Sequence, residues 1–197
     1  MIKGTKKKAE LQNALKILAI QKGYANVTMK DIGNYVGLSV GGLYHHYHNV
    51  NEIFNDLLIS ETENVWAVFK DIQNFDDLMK CFDTYLKAEE KELLNEECSV
   101  NNLLYQYYFS FPEKERSLMM KQSHDEAISH MIQILKPIYK NKKIYTQIAE
   151  HVYIILHGLV DMSFSEALTQ KIIREEFSNL KNYMKEMYQT VNNTNKK

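Results

Sequence analysis

A twenty-residue segment, residues 28–47, carries the densest set of helix start and stop signals in this chain. Thr28 and Asp31 have the spacing of a capping box, which satisfies free N–H groups at a helix start. Gly37 favours the left-handed conformation that ends a helix, and Ser39 is suited to cap a second helix. The segment therefore predicts two short helices joined by a glycine-broken turn.

The second of these helices combines a buried face with a run of aromatic and histidine side chains. Leu43 and Tyr47 lie four residues apart and are predicted to face a core. Tyr44, His45 and His46 lie between them, although an ordinary helical hairpin does not need such a run. This layout is typical of the helix-turn-helix, which reads DNA with its second helix. An ordinary helical hairpin that reads no DNA stays the alternative.

Positive charge is concentrated at the amino-terminal end. Residues 1–50 contain seven lysines and two acidic residues, a net charge of +5, so the other 147 residues total -6 in a chain of net charge -1. A basic segment joined to an acidic remainder suits a nucleic-acid-binding module with a separate body. Six of the seven glycines also precede residue 48. We therefore predict a DNA-binding domain over 1–48 and a ligand-binding and dimerisation domain over 49–197.

Hydrophobic periodicity predicts an all-α chain of about nine helices. An apolar stripe over 6–22 predicts the helix that backs the hairpin and completes a three-helix domain. The Lys6-Lys7-Lys8 run in this helix is placed to neutralise phosphates, and a solvated tail is an equal alternative for residues 1–5. Further helices are predicted over about 50–72, 75–94, 99–110, 113–140, 145–168 and 171–192.

The last two predicted helices have an apolar spacing suited to packing along other helices. Alternating steps of four and three residues give a seam with a period of about 3.5 residues. The earlier helix is apolar on nearly all faces, which favours packing against its own domain and against a second copy. A core helix of a single chain stays the alternative. The predicted dimer contacts are Ile148, Val152, Ile155, Leu159, Phe177, Leu180, Met184 and Met187.

Aromatic side chains from several predicted helices are candidates for lining a small-molecule cavity. Each of them is also open to the simpler interpretation of a core residue. The predicted ligand-binding residues are Trp66, Phe69, Phe82, Tyr85, Tyr105, Tyr108, Phe109, Met131 and Tyr153.

No catalytic centre, cofactor or metal site is predicted. The four histidines beyond residue 100 lack the i, i+4 pairing of a helical metal site, and Cys81 and Cys98 lack a CxxC or CxxH spacing. No apolar stretch approaches the roughly 18 residues that cross a bilayer, and the amino terminus lacks the apolar core of a signal peptide. We therefore expect a cytoplasmic protein that is not an enzyme and does not enter a membrane.

Residues 14–54 resemble the amino-terminal domain of the TetR/AcrR family of transcriptional regulators. The resemblance rests on four motifs: GY at 23–24, TMKDIG at 28–33, VGLS at 36–39 and GGLYHHY at 41–47. It implies a dimeric repressor whose last two helices form the interface and whose middle helices enclose a small-molecule pocket.

The resemblance also implies which residues touch DNA. Tyr44 and His45 would bind the backbone, and Thr28 and Ser39 would donate hydrogen bonds to phosphates. His48 and Val50 stand where the family usually has lysines, which weakens one phosphate contact and removes another. The predicted DNA-binding residues are Thr28, Lys30, Ser39, Val40, Gly41, Gly42, Tyr44, His45, His46 and His48.

These features together predict a homodimer that binds a roughly palindromic operator of double-stranded DNA. A partly apolar or aromatic small-molecule effector is expected to release it. The competing hypothesis is a helical small-molecule carrier, or an enzyme, whose helix-turn-helix does not bind DNA. An activator, or a regulator without a ligand, also stays open.

Overall fold

A computed structural model describes residues 2–95, 99–165 and 167–194. Within these ranges the chain forms nine α-helices, one short 3-10 turn and no strand, which confirms the all-α prediction. The helices are α1 Ile2–Lys22, α2 Met29–Val36, α3 Val40–Tyr44, α4 Val50–Ala67, α5 Phe75–Leu93, α6 Val100–Phe109, α7 Glu113–Tyr139, α8 Lys142–Ser163 and α9 Gln170–Thr194, and the 3-10 turn is Tyr24–Asn26.

The first of two compact units comprises Met1–Trp66 and Asn95–Arg116. Helix α6 belongs to it through contacts with the 3-10 turn: the Gln106 side-chain oxygen accepts a hydrogen bond from the Tyr24 N–H at 2.8 Å. The ring of Tyr107 lies 5.4 Å from that of Tyr24 and 4.3 Å from that of Phe54, between ring centroids. The composition boundary near residue 48 falls in the loop before α4, whereas this unit continues through α4 and includes α6.

The core of the first unit is built from the apolar stripes that the sequence indicates. The stripe of α1 is fully buried at four positions, while Leu18 is half-buried. The hairpin and α4 supply the other fully buried side chains. Together these core residues are Leu11, Ala14, Leu15, Ala19, Ile32, Leu43, Ile53 and Phe54.

The second unit comprises Ala67–Leu94 and Ser117–Lys197. Its helices α5, α8 and α9 pack on one another through apolar side chains. Ion pairs at the surface join α9 to α5, with Arg174 2.9 Å from Glu90 and Lys181 2.8 Å from Asp83. The buried hydroxyl of Tyr139, at the end of α7, donates to a main-chain oxygen of α9 at 2.9 Å.

Several features bear on the function classes that the sequence disfavours. In the described parts of the chain, no helix combines the length and hydropathy of a membrane span. Among the same residues, no three His, Cys, Asp or Glu side chains are grouped to bind a metal ion. Cys81 is a half-buried free thiol, and Cys98 lies outside the described residues.

Candidate DNA-binding site

The start of α2 is fixed by a complete capping box. The Thr28 hydroxyl accepts a hydrogen bond from the Asp31 N–H at 3.2 Å, and the Asp31 carboxylate accepts one from the Thr28 N–H at 2.8 Å. The Lys22 ammonium lies 2.5 Å from the same carboxylate. Lys22 first, and the hydrogen bonds from Thr28 second, lower the pKa of Asp31 to about 2.

This carboxylate should stabilise the fold only while it is ionised. Its pKa falls from an ordinary value of 3.8 to about 2 in the folded chain, so its contribution is present above about pH 4 and is lost as the pH falls toward about 2. Thermal unfolding midpoints of the wild type and Asp31→Asn should therefore differ at about pH 5 and converge as the pH approaches 2. Glu63→Gln, at an exposed carboxyl on α4, is the control. A difference that persists undiminished at pH 2 would contradict this assignment.

The turn between α2 and α3 depends on two glycines. Gly37 ends α2 in the left-handed conformation, with φ 68°, which a side chain would strain. A Cβ on Gly33 would lie 3.1 Å from the Leu38 carbonyl oxygen and 3.7 Å from a methyl carbon of Leu43. Gly33 therefore lets the turn and α3 approach α2 closely.

Helix α3 and the turn after it, residues 40–47, form what we call the reading helix. The Ser39 hydroxyl caps it by accepting a hydrogen bond from the Gly42 N–H at 3.2 Å. Leu43 and Tyr47 are buried, with exposed fractions of 0% and 4%. Tyr44, between them, is 46% exposed. The reading helix therefore has the buried face that the spacing of Leu43 and Tyr47 predicts, and Tyr44 lies on its exposed face.

The structure places the predicted DNA-binding residues at the start of α2, along the reading helix and at the positions that flank it, within one unit. The Val40 side chain lies outside the described part of the chain, and its role in DNA binding stays a prediction. The DNA contacts of the others are predictions too. Exposed among them are Thr28, Lys30, Ser39, Gly41, Tyr44, His45 and His48, and half-buried are Gly42 and His46.

Several lysines of the first unit already have acidic partners. Lys7 lies 2.5 Å from Glu10, and Lys8 lies 3.1 Å from Asp56 on α4. The amino-terminal lysine run is therefore less free to neutralise phosphates than its sequence suggests. Lys30, by contrast, is exposed and is in no ion pair among the described side chains.

Two polar residues outside the predicted set support the reading helix. They are Asp56 on α4 and Gln12 on α1, and both contact the hydroxyl of Tyr47. The available signal is weak: Asp56 is a charged residue beside the buried Ile53 and Leu57 of α4.

The predicted ligand-binding residues belong to both compact units. Trp66, Tyr105, Tyr108 and Phe109 belong to the first unit, and the other five belong to the second. Within the second unit, the ring of Tyr85 lies 5.8 Å from that of Phe69 and 6.2 Å from that of Phe82. Those three residues form a shared aromatic group.

Tyr153 packs against two histidine rings. Its ring centroid is 4.6 Å from that of His124 on α7 and 4.0 Å from that of His157, one turn further along α8. Burial, and secondarily the neighbouring His124, lower the pKa of His157. Phe109, in the first unit, is 62% exposed, with the Arg116 guanidinium 4.7 Å from its ring centroid.

The predicted dimer contacts pack mainly inside one chain. Six of the eight are buried in the core, and Ile155 and Met187 are half-buried. The seam with a period of 3.5 residues is therefore where α8 and α9 pack within their own unit, because such a period marks a packed stripe but not its partner. The buried six are Ile148, Val152, Leu159, Phe177, Leu180 and Met184.

The capped hairpin, its glycine turn and the all-helical remainder define a helix-turn-helix protein with a second helical unit. Residues 12–57 match the family model for bacterial regulatory proteins of the tetR family. The amino-terminal region is therefore a TetR-family DNA-binding domain. A comparison with curated protein sequences finds no match.

Solved structures share the fold over nearly the whole chain. Native NalD of Pseudomonas aeruginosa, the secondary repressor of the MexAB-OprM multidrug efflux pump, is 16% identical, with a TM-score of 0.64 over 95% of this chain and 96% of that chain. A TetR-family transcriptional regulator from Marinobacter aquaeolei VT8 is 14% identical, with a TM-score of 0.59 over 88% of each chain. The chain thus has the fold of TetR-family regulators.

Proposed function

We propose that this protein is a ligand-responsive transcriptional repressor that binds a roughly palindromic operator as a homodimer. The observation that carries the proposal is the reading helix itself: Leu43 and Tyr47 anchor it in the core, while Tyr44 and His45 face solvent. It lies within the segment that matches the tetR family. NalD, which shares the fold, is a repressor, and this favours repression over activation.

The proposed dimer surface is the exposed face of α8 beside the half-buried Ile155. Ile154 is 62% exposed on α8, and Gly158 lies one turn further along the same helix. A Cβ on Gly158 would meet no heavy atom within 4 Å outside its own helix. An exposed aliphatic side chain beside bare backbone supports close packing against a second copy. The DNA-binding units of two copies related by a two-fold axis would then read half-sites roughly 34 Å apart.

The effector is proposed to be a partly apolar or aromatic small molecule that binds the second unit. The aromatic group of Phe69, Phe82 and Tyr85 supports this class of ligand, since aromatic side chains dominate apolar ligand sites. The ligand would act by preferring a conformation with a lower affinity for the operator. Such coupling is reciprocal and typically amounts to about 1–3 kcal/mol.

The direct test is to select duplexes from a random pool with the purified protein and to titrate the selected duplex in mobility-shift assays. A DNA-binding regulator should lose affinity steeply with salt, with a slope of about -0.9 per phosphate neutralised. A carrier or an enzyme that does not bind DNA would enrich no sequence and show no such slope. Compounds can then be screened for release of the selected duplex.

Replacing Tyr44 with alanine should weaken operator binding broadly, whatever the sequence of the duplex. Its ring is exposed on the reading helix and is proposed to contact the DNA backbone, where we expect about a tenfold loss of affinity. Tyr35→Ala is the matched control, because Tyr35 is 50% exposed but lies near the end of α2. Equal affinities of the wild type and Tyr44→Ala would remove Tyr44 from the site.

A further inference from the structure

One carboxylate accepts hydrogen bonds from both the reading helix and α1. Asp56 lies on α4 and accepts a hydrogen bond from the Tyr47 hydroxyl, at the end of the reading helix. It also accepts from two side chains of α1, Gln12 at 3.3 Å and Lys8 at 3.1 Å. The Gln12 amide lies 3.5 Å from the Tyr47 hydroxyl as well. Asp56 thus connects the reading helix, α1 and α4 through a single group.

The protonation states suit this arrangement. The hydrogen bond from Tyr47 is the main cause that lowers the pKa of Asp56, and Lys8 acts in the same direction, so the carboxylate is ionised at neutral pH. Burial, and then the bond to Asp56, raise the pKa of Tyr47, so the phenol keeps the proton that it donates. A bond from a neutral donor to an ionised acceptor is among the stronger hydrogen bonds in proteins.

The Tyr47 side chain is anchored more tightly than packing alone requires. Its ring is 4% exposed, and the Lys8 ammonium lies 5.0 Å from the ring centroid. The main-chain N–H groups of His46 and Tyr47 both donate to the Leu43 carbonyl, at 2.9 and 3.1 Å. A bond at the tip of Tyr47 therefore adds a constraint from outside this short helix.

We propose that Asp56 is a positioning residue for DNA recognition. Through Tyr47, it fixes the end of the reading helix against α1 and α4 and so sets the direction in which Tyr44 and His45 are presented. This role rests on the proposed function, because it concerns the affinity of the same site for DNA. Asp56 itself does not touch DNA in this proposal.

The chain supplies a matched pair of tyrosines for the test. Tyr24 is also buried, at 5% exposed, and its hydroxyl also donates to a side chain of α4, Asn51, at 2.7 Å. Tyr24→Phe and Tyr47→Phe each remove one buried hydroxyl bonded to α4, but only the second removes a bond to the reading helix. A purely structural role predicts the same effect on DNA binding from both changes.

We expect Tyr47→Phe and Asp56→Asn to weaken binding of the selected duplex about tenfold, and Tyr24→Phe to change it less than about twofold. The salt slope of Tyr47→Phe should equal that of the wild type, because the lost hydroxyl contacts no phosphate. Wild-type affinity of Tyr47→Phe, or an equal loss in Tyr24→Phe, would overturn the proposal.

Hydrogen exchange of the free protein separates this proposal from the proposed function. Faster exchange of the His46 and Tyr47 amides is expected in Tyr47→Phe and Asp56→Asn but not in Tyr24→Phe. If the wild type enriches no duplex, the proposed function fails, while faster exchange confined to these amides still supports anchoring by Asp56. Unchanged exchange in both variants would overturn the anchoring whether or not DNA binds.

Discussion

Replacing Ile154 with lysine should convert dimers into monomers and weaken operator binding by about a hundredfold or more. Ile154 is 62% exposed on α8, next to the open backbone of Gly158, and we propose that this surface packs against a second copy. A lysine there would place two ammonium groups near the dyad, without a partner and away from water. Two linked DNA-binding units gain about 10²–10⁴ in avidity. Loss of the dimer should therefore weaken DNA binding, although Ile154 is not part of the reading helix.

Two measurements check this expectation in the same samples. Sedimentation equilibrium reports the oligomeric state, and mobility-shift titration with the selected duplex reports the affinity. Leu118→Lys is the control, since Leu118 is similarly exposed at 67% but lies on α7. A dimeric Ile154→Lys protein with unchanged affinity would move the interface elsewhere, and so would dissociation caused by Leu118→Lys.

The hairpin is the part of the structure that its sequence predicts best. The cap at Thr28, the left-handed Gly37 and the cap at Ser39 are each determined within about four residues of chain. The burial of Leu43 and Tyr47 follows from their spacing on a helix whose start is already fixed. Local signals suffice here because each of these residues acts on main chain that is only a few residues away.

The partner of an apolar stripe is not encoded in the stripe itself. Val152 and Leu159 have the spacing of a seam, and their burial within one chain fits that spacing as well as a dimer contact would. Ile154 and Gly158, which lie off this seam, are exposed. Only the packed structure shows which face of α8 is already covered.

Side-chain contacts between different helices are likewise not predicted by the sequence. Gln106 binds the main chain at Tyr24, and Asp56 binds Lys8 and Tyr47, without a sequence motif that pairs them. The position of a polar residue on a helix does not identify the donor that it contacts in the folded chain. The place of α6 in the first unit and the anchoring of the reading helix therefore follow from the folded structure and not from a local sequence pattern.

The double substitution His45→Lys, His48→Lys should raise operator affinity about ten- to a hundredfold. The sequence has no lysine or arginine between Lys30 and Lys70, a stretch that includes the whole reading helix. His45 and His48 are exposed there, and both are predicted to contact the DNA backbone. A lysine at each position would add a fixed positive charge beside a phosphate, and the counterions released there would strengthen binding.

The acidic groups around this segment are largely occupied by other donors. Glu52 on α4 accepts a hydrogen bond from the main-chain N–H of His48 at 2.7 Å. Asp56 is taken up by Tyr47, Lys8 and Gln12. Neither carboxylate is bonded to the imidazole of His45 or His48 among the described contacts.

Fluorescence anisotropy of a labelled duplex, titrated at several salt concentrations and at constant pH, measures the effect. The salt slope of the double variant should steepen by about 0.9 for each phosphate that a new lysine neutralises. His130→Lys, at an exposed histidine of α7, is the control and should leave both the affinity and the salt slope unchanged. Wild-type affinity and salt slope in the double variant would show that these positions do not face phosphate, and the positive charge for DNA binding would then have to come from α1 and Lys30.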